Sequence, residues 1–139
     1  MPYICSDPET YANKPGGDYA DKQVGTGQCV AFVQACAKVP ETNRWRPGLK
    51  VQCVSNFAIK PGTAIATFFN GRYPNQESGN HAAIYIRHTA SAIYVWDQWA
   101  HDKNRIGVHK RSIYFRGGTG DAVNDGDNYY VIEAYHVVG

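Results

Sequence analysis

The clearest helical spacing of apolar residues lies in the first third of the chain. Four residues fall at positions i, i+3, i+4 and i+7 and share one helix face: Cys29, Phe32, Val33 and Cys36. This pattern predicts a helix over residues 27–38, with Thr26 or Gly27 as its N-cap and Pro40 ending it. The segment before it, residues 1–24, is irregular and punctuated by proline and glycine.

Beyond the helix, short runs of β-branched and aromatic residues predict strands separated by turn-forming residues. The predicted strands comprise short pieces around Val51, Thr63–Phe69, a hairpin over 81–99, Ile113–Phe115 and Tyr129–Val138. One early helix followed mainly by strands is typical of an α+β fold, here with the helix packed on an antiparallel sheet. With 139 residues and no internal repeat or linker, the chain is expected to form a single domain over 1–139.

Composition and charge exclude several functional classes. The formal net charge is only +2 and the chain has no run of lysine or arginine, which argues against nucleic-acid binding. No stretch approaches the roughly 20 apolar residues that a membrane-spanning helix needs. The first residues, Met1–Cys5, lack a basic region followed by an apolar one, so we expect no secretory signal peptide.

Cys29 is the candidate nucleophile, because the predicted helix places its sulfur in the first turn. There the unpaired backbone N–H groups and the helix dipole favour a thiolate and lower the thiol pKa. The alternative is a small buried residue on an apolar helix face, which is a common environment for free cysteine.

If Cys29 is the nucleophile, at most one disulfide can form among the other three cysteines, Cys5, Cys36 and Cys53. The pairs Cys36–Cys53 and Cys5–Cys53 both remain open. A bond between Cys29 and Cys36 is disfavoured, because seven residues of helix span about 10.5 Å and bridged Cα atoms lie within about 7 Å.

His81 is the candidate general base, and Asp97 is the candidate residue that orients it. A five-residue hairpin loop would pair Ile86 with Ala92, and counting outward along the two strands then places His81 opposite Asp97. A carboxylate there can fix the imidazole tautomer and stabilise the imidazolium. A slip of one residue would place Gln98 opposite His81 instead, and an amide could still orient the ring.

This pairing also predicts how the site assembles. The strand face that carries His81, Ala83 and Tyr85 would have to pack on the helix that carries Cys29. The other face is too apolar to be left in water and would need cover from another layer or a partner: Ile84, Ile86, Tyr94 and Trp96.

Three further residues are candidates for substrate binding. The backbone N–H of Cys29 is a natural oxyanion donor, and the side chain of Gln28 could add a second donor. Trp99 lies next to the proposed catalytic residues and is a candidate wall of the cleft. Asn80 ends a polar loop over 70–80 that leads into the hairpin and is expected to form another wall.

No metal site or cofactor is predicted. The cysteines contain no C-x-x-C pair, so a zinc or thioredoxin-type site is not indicated. The other histidines lack ligand-like spacing to one another and are expected at the surface or at an interface: His88, His101, His109 and His136.

Five segments together resemble a known group of enzymes. In chain order they are Gly27-Gln28-Cys29-Val30 at the helix start, Asn43–Gly48, Lys60–Phe68, Asn80–Tyr85 and Val95–Trp99. The first and the last two look like segments of the CHAP and NlpC-type cysteine amidases. The closer resemblance is to small single-domain type VI secretion amidase effectors, and it covers the chain from about residue 20 to about residue 100.

The resemblance implies a papain-like core of the NlpC/CHAP type, with the cysteine at a helix N-terminus and the histidine on the following sheet. It assigns these roles to Cys29 and His81, and a third polar residue on the next strand corresponds to Asp97 or Gln98. The implied activity is that of a cysteine endopeptidase that degrades peptidoglycan. The implied bond is the diaminopimelate–D-alanine crosslink, which makes it a D,D-endopeptidase.

The resemblance also implies partners and a place of action. Peptidoglycan is the substrate, a type VI secretion machinery delivers the protein, and a cognate immunity protein inserts at the active-site cleft. The protein would be made in the cytoplasm without a signal peptide and exported to act in the periplasm of a target bacterium. Two alternatives are a non-catalytic cell-wall or carbohydrate-binding module and a phage-type lytic amidase of the CHAP group.

Overall fold

The computed structural model describes residues 2–76, 79–100, 102 and 104–134. Within these ranges, one α-helix, α1 (Cys29–Ala37), precedes six strands. The strands are β1 (Trp45–Lys50), β2 (Ala64–Thr67), β3 (Ala82–His88), β4 (Ala92–Asp97), β5 (His109–Tyr114) and β6 (Tyr129–Ala134). The predicted α+β class is confirmed, and no helix among the described residues is long and apolar enough to cross a membrane.

All six strands form one antiparallel sheet in the order β1-β6-β2-β3-β4-β5. Pro47 lies inside β1, where it is tolerated because β1 is an edge strand and proline has no N–H to donate. The β1–β6 register becomes irregular between Pro47 and Lys50. The strand predicted around Val51 therefore lies slightly earlier in the chain, and Val51 itself begins a 3₁₀ turn.

The helix is shorter at both ends than the predicted 27–38. Its N-cap is Gln28, whose side chain makes no capping hydrogen bond, and neither Thr26 nor Gly27 takes that position. At its other end, Lys38 adopts the left-handed conformation with φ of 60°. Cys29 is therefore the first residue of α1, which keeps its thiol in the first turn as predicted.

The apolar side of α1 packs on the centre of the sheet. Phe32 and Val33 are fully buried there, and burial of each such side chain contributes about 1.5–3 kcal/mol. The strand residues in the same cluster include three alanines on β2 and β3, whose small side chains allow the helix to approach closely: Ala64, Ala66 and Ala82.

The prediction of which sheet face meets the helix is wrong. The cluster under α1 contains Ala82 and Ile84, whereas Ala83 and Tyr85 belong to a second cluster on the opposite face. That second cluster is covered by the segment between β1 and β2, which contributes Val51 and other apolar residues. The sheet face that carries Ala82 and Ile84, which was predicted to need another layer or a partner, is therefore covered by α1.

The hairpin register also differs from the prediction. The loop is shorter than five residues, because β3 continues to His88, which pairs with Ile93. Going from the loop back along β3, the register is irregular between Arg87 and Tyr85, and Tyr85 pairs with Val95. The predicted register would pair Tyr85 with Ile93, so the observed partner lies two residues further along β4. A shift of two residues keeps each side chain on the same face of the sheet.

The disulfide joins Cys5 to Cys36, a pair that the sequence analysis did not single out, and leaves Cys29 and Cys53 free. It ties the N-terminal segment to the last turns of α1. His88 is buried, contrary to expectation: its ring bonds to the Tyr85 hydroxyl at 2.7 Å and to the Val54 carbonyl at 2.8 Å. His101, His136 and the predicted strand residues 135–138 lie outside the described part of the chain.

Candidate active site

The chain enters α1 through a turn that only glycine accommodates easily. Gly25 and Gly27 have φ of +57° and +87°, a region that side chains with a Cβ rarely adopt. A Cβ on Gly27 would also lie 2.5 Å from Cδ of Gln23. This turn brings Cys29 to the wall of a cleft of about 1400 Å³, where its thiol is partly exposed.

His81 stands immediately before β3 and lines the same cleft. Its Nε2 lies 2.7 Å from Oδ2 of Asp97, the last residue of β4, and both side chains are fully buried. Trp99 stacks on the imidazole with ring centroids 4.0 Å apart and planes within 5°. The structure therefore brings together His81 and Asp97 as the sequence suggested, and Trp99 lines the cleft beside them.

The two-residue register difference explains how this contact survives. Continuing the observed pairing places position 97 opposite 83, and position 81 opposite 99. Asp97 thus reaches His81 diagonally on one face of the hairpin, and Trp99 takes the directly opposed position. Diagonal neighbours lie about 7–8 Å apart at the backbone, which a carboxylate and an imidazole can bridge.

Two arginines that sequence reasoning missed hold the other side of the carboxylate. Nη2 of Arg105 donates to Oδ1 of Asp97 at 2.5 Å, and Nε of Arg111 donates to Oδ2 at 2.9 Å. Burial alone would raise the pKa of Asp97, but His81, Arg111 and Arg105 outweigh it and hold the pKa well below its usual range. Asp97 is therefore an ionised acceptor for three donors.

The free nitrogen of the imidazole is available to the thiol. Nδ1 of His81 is buried and makes no hydrogen bond of regular geometry within the described residues. Burial raises the pKa of Cys29, but hydrogen bonding and charge from His81 and the N–H of Ala82 lower it below the ordinary thiol value. Burial lowers the pKa of His81, but Asp97 and Cys29 raise it above the ordinary value. Both directions favour a thiolate–imidazolium pair.

Tyr73 is a third residue that the sequence analysis did not identify. Its hydroxyl lies 3.9 Å from Sγ of Cys29 and accepts a hydrogen bond from Nδ2 of Asn80 at 3.3 Å. Burial, the charge of Cys29 and its hydrogen bond raise the pKa of Tyr73, so the phenol stays protonated. Because Asn80 occupies a lone pair of the oxygen, the phenolic hydrogen is available to the sulfur.

The remaining predicted residues have different positions. Asn80 and Gln28 both line the cleft, and Oδ1 of Asn80 also accepts from the backbone N–H of Gln76 at 2.6 Å. The side-chain amide of Gln98, the alternative orienting residue, bonds to the backbone of Val24 and Gln28 and not to the imidazole of His81. No group of three or more histidine, cysteine or acidic residues in the described ranges could hold a metal ion.

Comparison with known proteins places this arrangement in a family. The family model described as domesticated amidase effector 2 matches residues 2–132. A type VI secretion amidase effector 2 protein from Salmonella typhi is 35% identical, with 96% of this chain and 100% of that protein covered.

Two further relatives agree. A domesticated amidase effector 2 from Ixodes scapularis is 36% identical over 93% of this chain and 83% of its own length. A solved structure of type 6 secretion amidase effector 2 superposes with a TM-score of 0.77 at 32% identity, covering 99% of this chain and 98% of that one. The papain-like resemblance is thus confirmed, and the chain belongs to the amidase effector 2 family.

Proposed function

We propose that this protein is a cysteine amidase that cuts peptide crosslinks in peptidoglycan, with Cys29, His81 and Asp97 as its catalytic residues. The observation that carries the proposal is that Cys29 and His81 line one cleft, with the buried Asp97 bonded to His81, in a chain of an amidase family. The directions of the Cys29 and His81 pKa shifts support the same roles.

The reaction begins from the ion pair, in which the thiol proton of Cys29 has moved to Nδ1 of His81. The thiolate sulfur attacks the amide carbonyl carbon, and the carbonyl π electrons move onto oxygen. As the C–N bond breaks, the imidazolium gives its proton to the leaving amine and a thioester remains. Water then attacks the thioester carbonyl carbon and gives one proton to His81. The C–S bond breaks, which releases the carboxylic acid and restores the Cys29 thiolate beside the His81 imidazolium.

Hydrogen-bond donors at the start of α1 stabilise the oxyanion. The first N–H groups of a helix have no intrahelical partner, and that of Cys29 lies at the reacting sulfur. The Tyr73 hydroxyl donates to the thiolate before attack. Gln28, Trp99 and Asn80 line the cleft and contact the bound peptide. Asn80 also donates a hydrogen bond to the Tyr73 hydroxyl.

Digestion of purified sacculi tests the catalytic assignment. Wild-type protein should release soluble muropeptides, whereas Cys29→Ala and His81→Ala should release none while keeping a wild-type circular dichroism spectrum. Identification of the products by mass spectrometry shows whether the diaminopimelate–D-alanine crosslink is the bond cut. Equal digestion by Cys29→Ala would refute the cysteine mechanism and favour the binding-module alternative.

The place of action follows from the substrate, which lies outside the inner membrane. We propose delivery by a type VI secretion machinery into the periplasm of a target bacterium; the Salmonella typhi relative is named as a type VI secretion amidase effector, which supports the delivery route. Expression directed to the periplasm should lyse cells, and cytoplasmic expression of the same chain should not. Equal toxicity in both compartments, or toxicity retained by Cys29→Ala, would contradict this proposal.

A producing cell then needs protection, and we propose a cognate immunity protein that inserts into the cleft. Its concave shape and mixed polar and apolar lining suit an inserted loop that covers Cys29. Such a partner should block both sacculus digestion and alkylation of Cys29 at equimolar amounts. A partner that neutralises the protein yet leaves Cys29 open to alkylation would place the interface elsewhere.

A further inference from the structure

Four consecutive residues, beginning with Asp97 at the end of β4, contact the two halves of the active site alternately. Asp97 bonds to His81 and Trp99 stacks on the same imidazole, whereas the Gln98 side chain bonds to Val24 and the backbone carbonyl of Ala100 accepts from Nε2 of Gln23. The alternating directions of the side chains of residues 97, 98 and 99 are those expected in extended chain. The segment 97–100 therefore lies between the base on one side and the nucleophile's turn on the other.

Gln98 makes the closest connection to that turn. Its Oε1 accepts from the N–H of Val24 at 3.0 Å, and its Nε2 donates to the carbonyls of Val24 at 2.9 Å and Gln28 at 2.8 Å. Gln98 is fully buried, and Val24 is 2% exposed. One side-chain amide thus bonds to both ends of the glycine turn that precedes Cys29.

The turn itself has few other bonds to fix it. Gly25 and Gly27 have a wide range of accessible backbone conformations, and the N-cap side chain of Gln28 makes no capping bond. Three local bonds are described: Gly27 N–H to the Val24 carbonyl at 3.0 Å, Gln28 N–H to Oγ1 of Thr26 at 3.4 Å, and Ala31 N–H to the Gln28 carbonyl at 3.1 Å. None of the three joins the turn to the sheet, whereas the Gln98 amide does.

We propose that Gln98 is a positioning residue that sets the distance and angle between the Cys29 thiol and His81. The inference rests on the proposed roles of Cys29 and His81. The backbone carbonyl of Gln28, which Gln98 holds, immediately precedes Cys29, while the neighbouring Asp97 holds the imidazole. A displacement of about 1 Å between catalytic groups can cost on the order of 100-fold in rate.

Gln98→Met tests the proposal, because methionine preserves the length and shape of the side chain and removes the amide. With a soluble crosslinked muropeptide dimer as substrate, kcat should fall about 10- to 100-fold, and KM should change less than about threefold. A changed geometry between Cys29 and His81 should raise the pKa of the thiol, because His81 is what lowers it. A rise of about one pH unit lowers the thiolate fraction tenfold, so alkylation of Cys29 by iodoacetamide at pH 6.5 should slow about tenfold. A role confined to stability would not change this pH profile in the folded protein.

Tyr85→Phe is the matched control. Tyr85 is 1% exposed and its hydroxyl bonds to Asn56 and His88, so the substitution also removes a buried polar group, but on the sheet face away from α1. It should lower the melting temperature and leave kcat and the alkylation profile unchanged. All measurements are made at a temperature where each variant is folded by circular dichroism.

Gln98→Asn is the second variant, since its amide is one methylene shorter and cannot bond to both Val24 and Gln28. It should show the same shift in alkylation with a smaller loss of stability. Wild-type kcat and alkylation in folded Gln98→Met would overturn the proposal, as would failure of both variants to fold, which would assign Gln98 to the folding core. Failure of the proposed function itself is distinguishable, because Cys29→Ala would then remain active.

Discussion

Replacing Asp97 by asparagine removes the charge of the buried carboxylate and preserves its shape. The carboxylate accepts from Nε2 of His81, Nη2 of Arg105 and Nε of Arg111. All three partners are donors, and a carboxylate has only acceptor sites. An asparagine side chain has one oxygen and one NH₂ group, so its NH₂ must face at least one of these donors.

The structure allows the magnitude of the loss to be worked out. Asp97 is fully buried, and the side chains of Arg105 and Arg111 are 19% and 21% exposed, so solvent compensates little. Breaking one partner of a buried ion pair costs about 3–5 kcal/mol of stability. The rate falls as well, because the imidazole loses its orienting acceptor; we expect kcat to decrease about 10²- to 10⁴-fold.

The loss of stability depends on pH in a direction that the pKa shifts determine. The pKa of Asp97 is lowered, so its contribution is present above the unfolded value of about 3.9 and is lost as pH falls toward the folded value. The pKa of His81 is raised, so its contribution is present below about 6.5 and is lost as pH rises through the folded value. The difference between wild type and variant should be greatest near pH 5–6.

Urea titrations followed by circular dichroism at several pH values measure this difference, and muropeptide hydrolysis measures kcat. Asp125→Asn is the control, because Asp125 is another buried carboxylate that accepts backbone N–H bonds, from Arg116, Gly118 and Asp127. It should lose stability and keep kcat. A difference in unfolding free energy below about 1 kcal/mol at pH 6 for Asp97→Asn, or one that does not vary with pH, would refute the reasoning.

Three further predictions concern other parts of the site and fold. Iodoacetamide should alkylate Cys29 with a pH midpoint below the ordinary thiol value of about 8.5, and His81→Ala should raise the midpoint to that value or above it, because burial then acts without the opposing imidazole; a wild-type midpoint at or above that value would contradict the ion pair. Tyr73→Phe should lower kcat about tenfold with KM little changed, and a wild-type kcat would show that the hydroxyl does not assist the thiolate. Cys5→Ser should lower the unfolding free energy by about 3–4 kcal/mol, since the bond to Cys36 closes a loop with a separation of 31 residues; unchanged urea midpoints would contradict this.

The sequence alone determined the features that depend on short-range periodicity. The i, i+3, i+4, i+7 spacing locates α1 and places Cys29 in its first turn, because the helical repeat is a property of neighbouring residues. The contact between His81 and Asp97 on one shared face of the hairpin was also predicted, although the packing of that face on α1 was not borne out. That result tolerated a two-residue register difference, since side chains on a strand repeat every two residues.

Tertiary structure decided what depends on residues far apart in the chain. Which sheet face packs on α1 depends on the alanines of β2 and β3, whose small side chains leave room for the helix. No local sequence pattern predicts that the helix packs there. The Cys5–Cys36 pairing depends on where the N-terminal segment crosses the end of α1.

The environment of the proposed catalytic groups was likewise decided only by the fold. Arg105 and Arg111 reach Asp97 from the chain that follows it, and Tyr73 reaches the thiol from the loop after β2. The direction of Gln98, away from the imidazole and onto the turn before Cys29, follows from the alternation of extended chain once the register is known. Sequence periodicity gives the face of a side chain, and only packing in three dimensions determines which distant group meets it.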